Sequence, residues 1–191
     1  MYHPRRLKIE PTELPEVLAI QPNVYPDDRG WFMETFNTRE FAKHGLPIEF
    51  AQDNTSRSRL GVIRGLHYQF DPPQGKLVRC VRGTIYDVAV DIRRGSPTFG
   101  KATGVVLSAD NKRHFWIPEG FAHGFAVLSE RALFSYLCTA TFDKAADAGI
   151  RWNDARLAID WPIGHPSLSE KDANAPFLAD VPEDRLPIYQ P

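Results

Sequence analysis

The sequence has little of what secreted or membrane-spanning proteins contain. Its 191 residues include only two cysteines, Cys80 and Cys138, both within strand-like runs. This is typical of reduced thiols in a protein core, although the count also allows one disulfide. No apolar run approaches the roughly 18 residues that span a bilayer, and residues 1–7 lack the apolar stretch of a secretory signal. We therefore expect a soluble, cytoplasmic protein with no membrane contact.

An excess of charge of one sign is also missing. The 23 Lys and Arg residues and 24 Asp and Glu residues give a net charge of -1, so no basic field is available to hold a nucleic acid. Any anionic ligand must instead be bound by a local cluster of Arg and Lys. The chain has no repeat, low-complexity tract or linker, and we expect a single domain over residues 1–191.

The 16 prolines and 13 glycines punctuate short apolar runs, a pattern typical of all-β proteins. Strand-like runs occupy residues 76–92, 104–109, 114–117, 121–128 and 132–142. Within the first run, Arg82-Gly83 predicts a tight hairpin, and the alternation predicts that Val78, Cys80, Val88 and Val90 face one core. In the last run it places Phe134, Tyr136, Cys138 and Phe142 on one face.

One short helix is predicted, beginning after Asn37 as its cap and ending at Gly45. The Pro-rich tail from about residue 160 is expected to be irregular and to pack over the strands. Together these features predict an all-β, jelly-roll barrel or sandwich with one or two short helices.

Two stretches concentrate the side chains that are capable of chemistry. Residues 52–76 read QDNTSRSRLGVIRGLHYQFDPPQGK, and residues 116–125 read WIPEGFAHGF. The P-x-G-x-x-H core of the second resembles the second motif of the cupin superfamily, in which that His often binds a metal. The H-x-H of the first cupin motif is here His67-Tyr68-Gln69, so His67 and His123 alone are too few ligands for a catalytic metal. The sequence predicts a cupin-like barrel without a metal.

The order of several motifs gives a more specific resemblance. They are DxRGxFxExF from Asp27, QxNxSxS from Gln52, RGLHYQ from Arg64, KLVR from Lys76, WIPEGFAHGF from Trp116 and SEKD from Ser169. Together they resemble the dTDP-4-dehydrorhamnose 3,5-epimerase family over residues 27–172. The resemblance implies a metal-free, cofactor-independent homodimer. It also implies inversion of C3 and C5 of dTDP-4-dehydro-6-deoxy-glucose by proton transfer next to the C4 ketone.

The resemblance also implies roles for individual residues. His67 matches the base, Asp172 its acidic partner, Tyr136 the acid, and Lys76 the residue facing the developing C4 oxyanion. The substrate-binding positions that match are Arg29, Glu34, Gln52, Asn54, Arg64, His123 and Asp147. Strict alternation would send Arg64 and His67 to opposite faces of one strand, so we expect a strand irregularity at Gly65.

The chain departs from the family pattern at Phe142, often a hydroxyl-bearing aromatic, and at Asp147, often Glu. These departures leave open a single-centre 3- or 5-epimerase. A metal-dependent cupin dioxygenase is disfavoured by the missing H-x-H motif. A sugar-nucleotide-binding module without turnover is disfavoured because binding alone does not need an opposed acid and base.

Overall fold

Two antiparallel sheets face each other in this chain, as the sequence predicts. The structure is a computed structural model that describes residues 7–190. Residues 1–6, within the segment where we predict no secretory signal, and residue 191 lie outside the described residues. No helix among residues 7–190 has the length and apolar character that a membrane crossing requires.

The first sheet has six strands in the spatial order β1-β2-β10-β7-β12-β5. Their bounds are β1 Lys8–Pro11, β2 Leu18–Gln21, β5 Gln52–Arg59, β7 Lys76–Arg82, β10 His114–Ile117 and β12 Arg131–Cys138. The second sheet has five strands in the order β13-β6-β11-β8-β9. Their bounds are β6 Ile63–Gln69, β8 Thr84–Asp91, β9 Ala102–Ser108, β11 Phe121–Val127 and β13 Asp147–Gly149. Because strands that are consecutive in the chain often lie in opposite sheets, the arrangement is a jelly roll.

A separate hairpin and two short α-helices lie outside the two larger sheets. The strands β3 Val24–Asp27 and β4 Gly30–Met33 pair only with each other, as a separate hairpin. Helix α1 covers Thr38–Lys43, and its cap Asn37 accepts hydrogen bonds from two backbone N–H groups. Gly45 follows the helix with φ +68°. The predicted helix is therefore confirmed at both ends. Helix α2 covers Glu170–Ala173.

Apolar side chains are buried in three layers. The layer between the sheets includes Val78, Phe115 and Phe134 from one sheet, and Ile85 and Phe125 from the other. A second layer lies on the outer face of the five-stranded sheet, where Leu178, Val181 and Leu186 of the tail cover it. The third layer buries Phe41 of α1 against Trp116 and Leu77. The predicted packing of the tail over the strands is confirmed.

The predicted hairpin at Arg82-Gly83 is wrong. The strands on either side of it, β7 and β8, belong to different sheets, so this turn carries the chain from one sheet to the other. Gly83 has φ +80°, and a Cβ there would come within 2.2 Å of the carbonyl oxygen of Arg131. The glycine is needed for a close backbone approach, a requirement that an X-Gly pair does not distinguish from a hairpin.

The prediction of one shared core face is also wrong for β8. Val78 and Cys80 lie between the sheets, whereas Val88 and Val90 lie in the outer layer beneath the tail. Both faces of β8 are buried and carry apolar residues, so alternation along the strand cannot show which residues face the other sheet. The last predicted strand is also too long, because β12 ends at Cys138, and Phe142 is 57% exposed.

Candidate active site

A cavity of about 410 Å³ opens at one end of the barrel. Strands of both sheets supply its walls, together with the β12–β13 connection and α2. The lining residues are Gln52, Asn54, His67, Tyr68, Gln69, Gln74, Lys76, Tyr136, Phe142, Asp147 and Lys171. Three of the four predicted catalytic residues line this cavity, and the fourth, Asp172, contacts one of them.

The predicted irregularity at Gly65 is confirmed. Opposite β11, His67 pairs with His123 and Arg64 pairs with Phe125, so β6 has one more residue than its neighbour between the two pairs. Gly65 has φ +120°, and a Cβ there would come within 2.6 Å of the backbone of Gly124. The extra residue turns Arg64 and His67 to the same face of the sheet.

His67 pairs closely with Asp172 in the cavity wall. Its Nε2 lies 2.5 Å from Oδ1 of Asp172, which α2 presents with Ser169 as the helix cap. Burial disfavours ionisation of Asp172, but hydrogen bonds from His67 and Ser169 outweigh it and lower the pKa of this carboxyl. The carboxylate of Asp172 therefore lies against Nε2 of His67, whose imidazole is partly exposed.

Lys76 is buried, with 7% of its surface exposed, although it lines the cavity. No group among residues 7–190 forms an ion pair or side-chain hydrogen bond with its Nζ. Burial lowers the pKa of Lys76, and the nearby carboxyls of Asp147 and Asp87 oppose that shift. Burial therefore disfavours the charged form of the amine, and a ligand that carries negative charge would favour the ammonium.

Tyr136 lies on the opposite sheet from His67 and lines the same cavity. Its ring packs against Phe134 with a centroid distance of 5.3 Å. Burial raises the pKa of the Tyr136 hydroxyl, which favours the protonated form that can donate a proton. Arg64 lies near enough to oppose this shift, and its Nε donates to Ser58 Oγ at 3.0 Å. Arg64 is exposed and does not line the cavity.

His123 does not line the cavity, although the sequence predicts that it does. Its Nε2 lies 2.9 Å from Oδ1 of Asp87, and its ring stacks on Phe134 at 5.9 Å. Asp87 is fully buried, and its Oδ2 has no hydrogen-bond partner within the described part of the chain. Burial raises the pKa of Asp87, with His123 and Lys76 opposing the shift. The sequence reasoning did not identify Asp87, since an acidic residue within an apolar strand resembles a surface position.

Two predicted substrate-binding residues lie away from the cavity of their own chain. Arg29 is at the tip of the β3–β4 hairpin, where its side chain is 89% exposed and pairs with Asp27 at 2.6 Å. Glu34 is exposed just beyond β4. Neither lines the cavity. Their hairpin makes no strand pairing with the two larger sheets, which explains the separation.

The remaining predicted residues line the cavity with their polar groups already engaged. Gln52 Nε2 donates to Asn54 Oδ1 at 2.9 Å, and Gln52 Oε1 accepts from the backbone N–H of Phe142 at 2.7 Å. Asp147 forms an ion pair with Lys171. Lys171 was not predicted, although its place beside Asp172 in the SEKD motif was an available signal.

Within residues 7–190, no group of three or more His, Cys, Asp or Glu side chains comes together as a metal site. Cys80 and Cys138 are buried free thiols, as expected.

Comparison with known proteins gives several 3,5-epimerases, and also a dTDP-4-dehydrorhamnose 3-epimerase of Streptomyces niveus that is 40% identical over 186 residues, covering 96% of this chain and 90% of that protein. The family model described as dTDP-4-dehydrorhamnose 3,5-epimerase matches residues 11–180. The dTDP-4-dehydrorhamnose 3,5-epimerase of Shigella flexneri is 55% identical over 172 residues, covering 89% of this chain and 95% of that protein. The Pseudomonas aeruginosa enzyme of the same name is 54% identical, covering 88% and 94%.

A solved structure is similar over nearly the whole chain. It is the dTDP-6-deoxy-D-glucose-3,5-epimerase of Legionella pneumophila Philadelphia 1, in complex with dTDP-4-keto-L-rhamnose. The TM-score is 0.95 and the sequence identity is 49%, covering 97% of this chain and 100% of that one.

Proposed function

This chain belongs to the dTDP-4-dehydrorhamnose 3,5-epimerase family, and we propose that His67, Tyr136 and Lys76 perform its reaction. The chain is an isomerase that binds dTDP-sugar nucleotides. The substrate we assign is dTDP-4-dehydro-6-deoxy-glucose, with inversion at C3 and C5. One observation supports the assignment most directly: the three side chains line a single cavity, with Asp172 against His67.

His67 is the proposed base. The protons at C3 and C5 can be removed because the electron pair left behind delocalises onto the C4 carbonyl oxygen. Asp172 lies at Nε2 of His67, which favours the tautomer with its proton on Nε2 and leaves the Nδ1 lone pair to take the substrate proton. The carboxylate then stabilises the imidazolium that forms.

Lys76 is the proposed partner of the enolate oxygen. Its buried ammonium has no ion-pair partner among residues 7–190, so its charge is not already neutralised at contact distance. Because Lys76 is shielded from bulk water, such a charge stabilises a developing oxyanion by an amount on the order of several kcal/mol. This stabilisation is larger in the transition state than in the ketone, which is the requirement for catalysis.

Tyr136 is the proposed acid. It reaches the cavity from the six-stranded sheet, whereas His67 reaches it from the five-stranded sheet. A proton taken on one side and delivered on the other inverts the carbon. A tyrosine hydroxyl is protonated at neutral pH, so Tyr136 has a proton to deliver.

Arg64 and Lys171 are the proposed partners of the diphosphate. Both are cationic, and Lys171 lines the cavity while Arg64 lies near Tyr136. Guanidinium and ammonium groups are the usual partners of phosphate oxygens. Asn54, His123 and Asp147 remain predicted substrate-binding residues on the basis of the family motifs.

We also propose that the chain forms a homodimer. The β3–β4 hairpin exposes Trp31 (56%) and Phe32 (67%), and such neighbouring aromatic rings favour burial against a partner. A second copy seated on this hairpin would also bring Arg29 and Glu34 towards a cavity other than their own. Sedimentation velocity on the wild-type chain and on Phe32→Ser tests this, and a monomeric wild type contradicts it.

The whole chain is proposed to act as one domain in the cytoplasm. The family match over residues 11–180 supports a single domain. The free thiols of Cys80 and Cys138 support a reducing compartment.

The central experiment is incubation with dTDP-4-keto-6-deoxy-glucose in D2O, with NMR observation of C3 and C5. We expect deuterium and inversion at both carbons. Deuterium at one carbon only would indicate a single-centre epimerase. Deuterium at neither carbon would indicate binding without turnover, or a different reaction, and would contradict the proposal.

The acid is tested by Tyr136→Phe, which removes only the hydroxyl. We expect inversion to fall by about 10²–10⁴-fold and deuterium wash-in to fall less, because the enolate still forms and can regain a proton from the side of His67. Tyr68→Phe is the matched control, since this second tyrosine of the cavity donates its hydroxyl to the backbone of Arg185 at 3.2 Å. Full inversion by Tyr136→Phe would show that another group is the acid.

A further inference from the structure

The segment from Thr139 to Asp143 forms one rim of the cavity. It joins β12, which carries Tyr136, to β13, which begins at Asp147. It belongs to neither strand, and it carries Phe142, whose ring lines the cavity while remaining 57% exposed. An irregular segment in this position needs other partners to keep one shape.

Three glutamine side chains supply those partners, and we call them with this segment the glutamine-bound rim. Gln74 Nε2 donates to the carbonyl of Ala140 at 2.8 Å. Gln69 Nε2 donates to the carbonyl of Thr141 at 3.2 Å, and Gln69 Oε1 accepts from the N–H of Asp143 at 2.8 Å. Gln52 Oε1 accepts from the N–H of Phe142 at 2.7 Å. Four consecutive residues are thus held through their backbone by side-chain amides.

Gln69 makes the most bonds of the three. Its Nε2 also donates to the carbonyl of Pro72 at 2.8 Å, so it ties the β6–β7 connection to the rim. It is 5% exposed and follows His67 by two residues on the same face of β6. Both amide hydrogens and the amide oxygen are therefore engaged within the protein, which makes Gln69 a poor donor to a ligand.

Gln52 fits the same explanation. The family motif predicts it as a substrate-binding residue, but its oxygen and one of its amide hydrogens bind Phe142 and Asn54. It comes from the six-stranded sheet, whereas Gln69 comes from the five-stranded sheet, so the rim is held from both sides of the barrel.

We propose that Gln69, assisted by Gln52 and Gln74, is a positioning residue that holds the glutamine-bound rim and keeps Phe142 as a preformed wall for the bound sugar nucleotide. The inference rests on the proposed function, because the ligand is the sugar nucleotide named there. A rim that is already ordered does not lose conformational entropy on binding, so the bonds strengthen affinity. They leave the proton transfers unchanged, since His67 and Lys76 lie on strands.

The test is Gln69→Leu, which removes all three bonds and introduces an apolar side chain of similar volume. In the ligand-free protein, we expect amide hydrogen exchange at Phe142 and Asp143 to accelerate about tenfold or more, with β7 and β12 amides unchanged. The Kd for dTDP and the KM for the keto sugar should rise about tenfold, with kcat within about twofold. Gln21→Leu is the matched control, because its amide binds the Asn111 carbonyl at 3.1 Å, away from the rim.

Three outcomes would overturn the inference. Unchanged exchange at Phe142 and Asp143 would show that Gln69 does not hold the rim. Faster exchange with unchanged Kd and KM would show that the rim does not contribute to affinity. A fall in kcat alone would mean that Gln69 acts through His67.

Failure of the proposed function can be separated from failure of this inference. Amide exchange and dTDP binding do not depend on turnover, so both can be measured even if the wild type does not epimerise the keto sugar. If Gln69→Leu does not fold, Gln74→Leu is the substitute, because it removes the one bond to Ala140. It should accelerate exchange and raise Kd and KM by smaller factors. Wild-type values in that variant would then contradict the proposal.

Discussion

Two histidines lie side by side in the five-stranded sheet, each paired with an aspartate, and only the His67 pair opens to the cavity. His67 and His123 are directly opposite each other on neighbouring strands, and each binds an aspartate through Nε2. The side chains of His67 and Asp172 are 35% and 5% exposed. Those of His123 and Asp87 are 8% and 0% exposed. We call His67–Asp172 the open pair, because it reaches the cavity, and His123–Asp87 the closed pair, because it is buried.

The two carboxyls differ in the donors around them. Asp172 is bonded by His67 and Ser169, and these bonds outweigh burial and lower its pKa. Among residues 7–190, Asp87 has His123 as its single side-chain hydrogen-bond donor and one oxygen without a partner, and burial raises its pKa. Hydrogen bonding to the charged form and removal from water act in opposite directions on a carboxyl. The comparison shows that the surroundings, and not the residue types, set the opposite pKa shifts of the two carboxyls.

The largest effect is expected from His67→Ala. Without the base no enolate forms, so deuterium wash-in at both carbons should fall by about 10²–10⁴-fold or more, measured by NMR in D2O. His44→Ala is the control, because His44 is exposed at the end of α1. If His67→Ala retains wash-in at either carbon, another group removes that proton and the open pair is not the base.

Asp172→Asn should have the next largest effect. An amide oxygen can still accept from Nε2 of His67, so the ring keeps its place, but the imidazolium loses its counter-charge. We expect kcat to fall about 10²-fold. Asp87→Asn is the matched change in the closed pair, and its kcat should fall about tenfold or less. Equal losses of kcat in Asp172→Asn and Asp87→Asn would show that the two His–Asp pairs do not differ in their contribution to catalysis.

The smallest effect is expected in the pH dependence of unfolding. Asp172 has a lowered pKa in the folded chain, so its stabilisation is complete above the unfolded pKa of about 3.9 and is lost as pH falls below it. Asp87 has a raised pKa, so the folded chain takes up its proton first, and acidification towards pH 4 removes a destabilising charge.

Urea unfolding of the wild type, Asp172→Asn and Asp87→Asn between pH 7 and pH 3.5 measures this difference. The stability of the wild type relative to Asp87→Asn should rise as pH falls from 7 towards 4. Its stability relative to Asp172→Asn should stay constant over that range and fall below about pH 4. A rise in both comparisons would mean that Asp172 is not held in its charged form.

Local sequence features determined several elements. The Asn37 cap and Gly45 bound α1 because capping depends on residues within one turn of the helix. The run His114–Ile117 is strand β10 as predicted, and the conflict between Arg64 and His67 located the irregularity at Gly65. Ordered motifs identified the family, because several motifs at set places in one chain are specific where each alone is not.

Other features depended on contacts between distant residues. The strands β1, β2, β3, β4, β5 and β13 are not among the predicted runs. Strand β5 alternates in burial, but its residues QDNTSRSR are all polar, so the sequence shows no apolar alternation there. The turn at Gly83 and the two buried faces of β8 follow from which sheet each strand joins, and that is decided by packing across the barrel. Arg29 and Glu34 carry a family motif, yet the hairpin places them away from their own cavity.

The cavity shows the same division most clearly. The sequence alone determined which side chains were chemically able to act, because a base, an acid and an ammonium are properties of residue types. Only the tertiary structure decided that His67 faces the cavity while His123 lies against Asp87, and that glutamines hold the rim around Phe142. The reason is physical: exposure, pKa and hydrogen-bond partners belong to an environment, and here residues more than 30 positions apart in the chain form that environment.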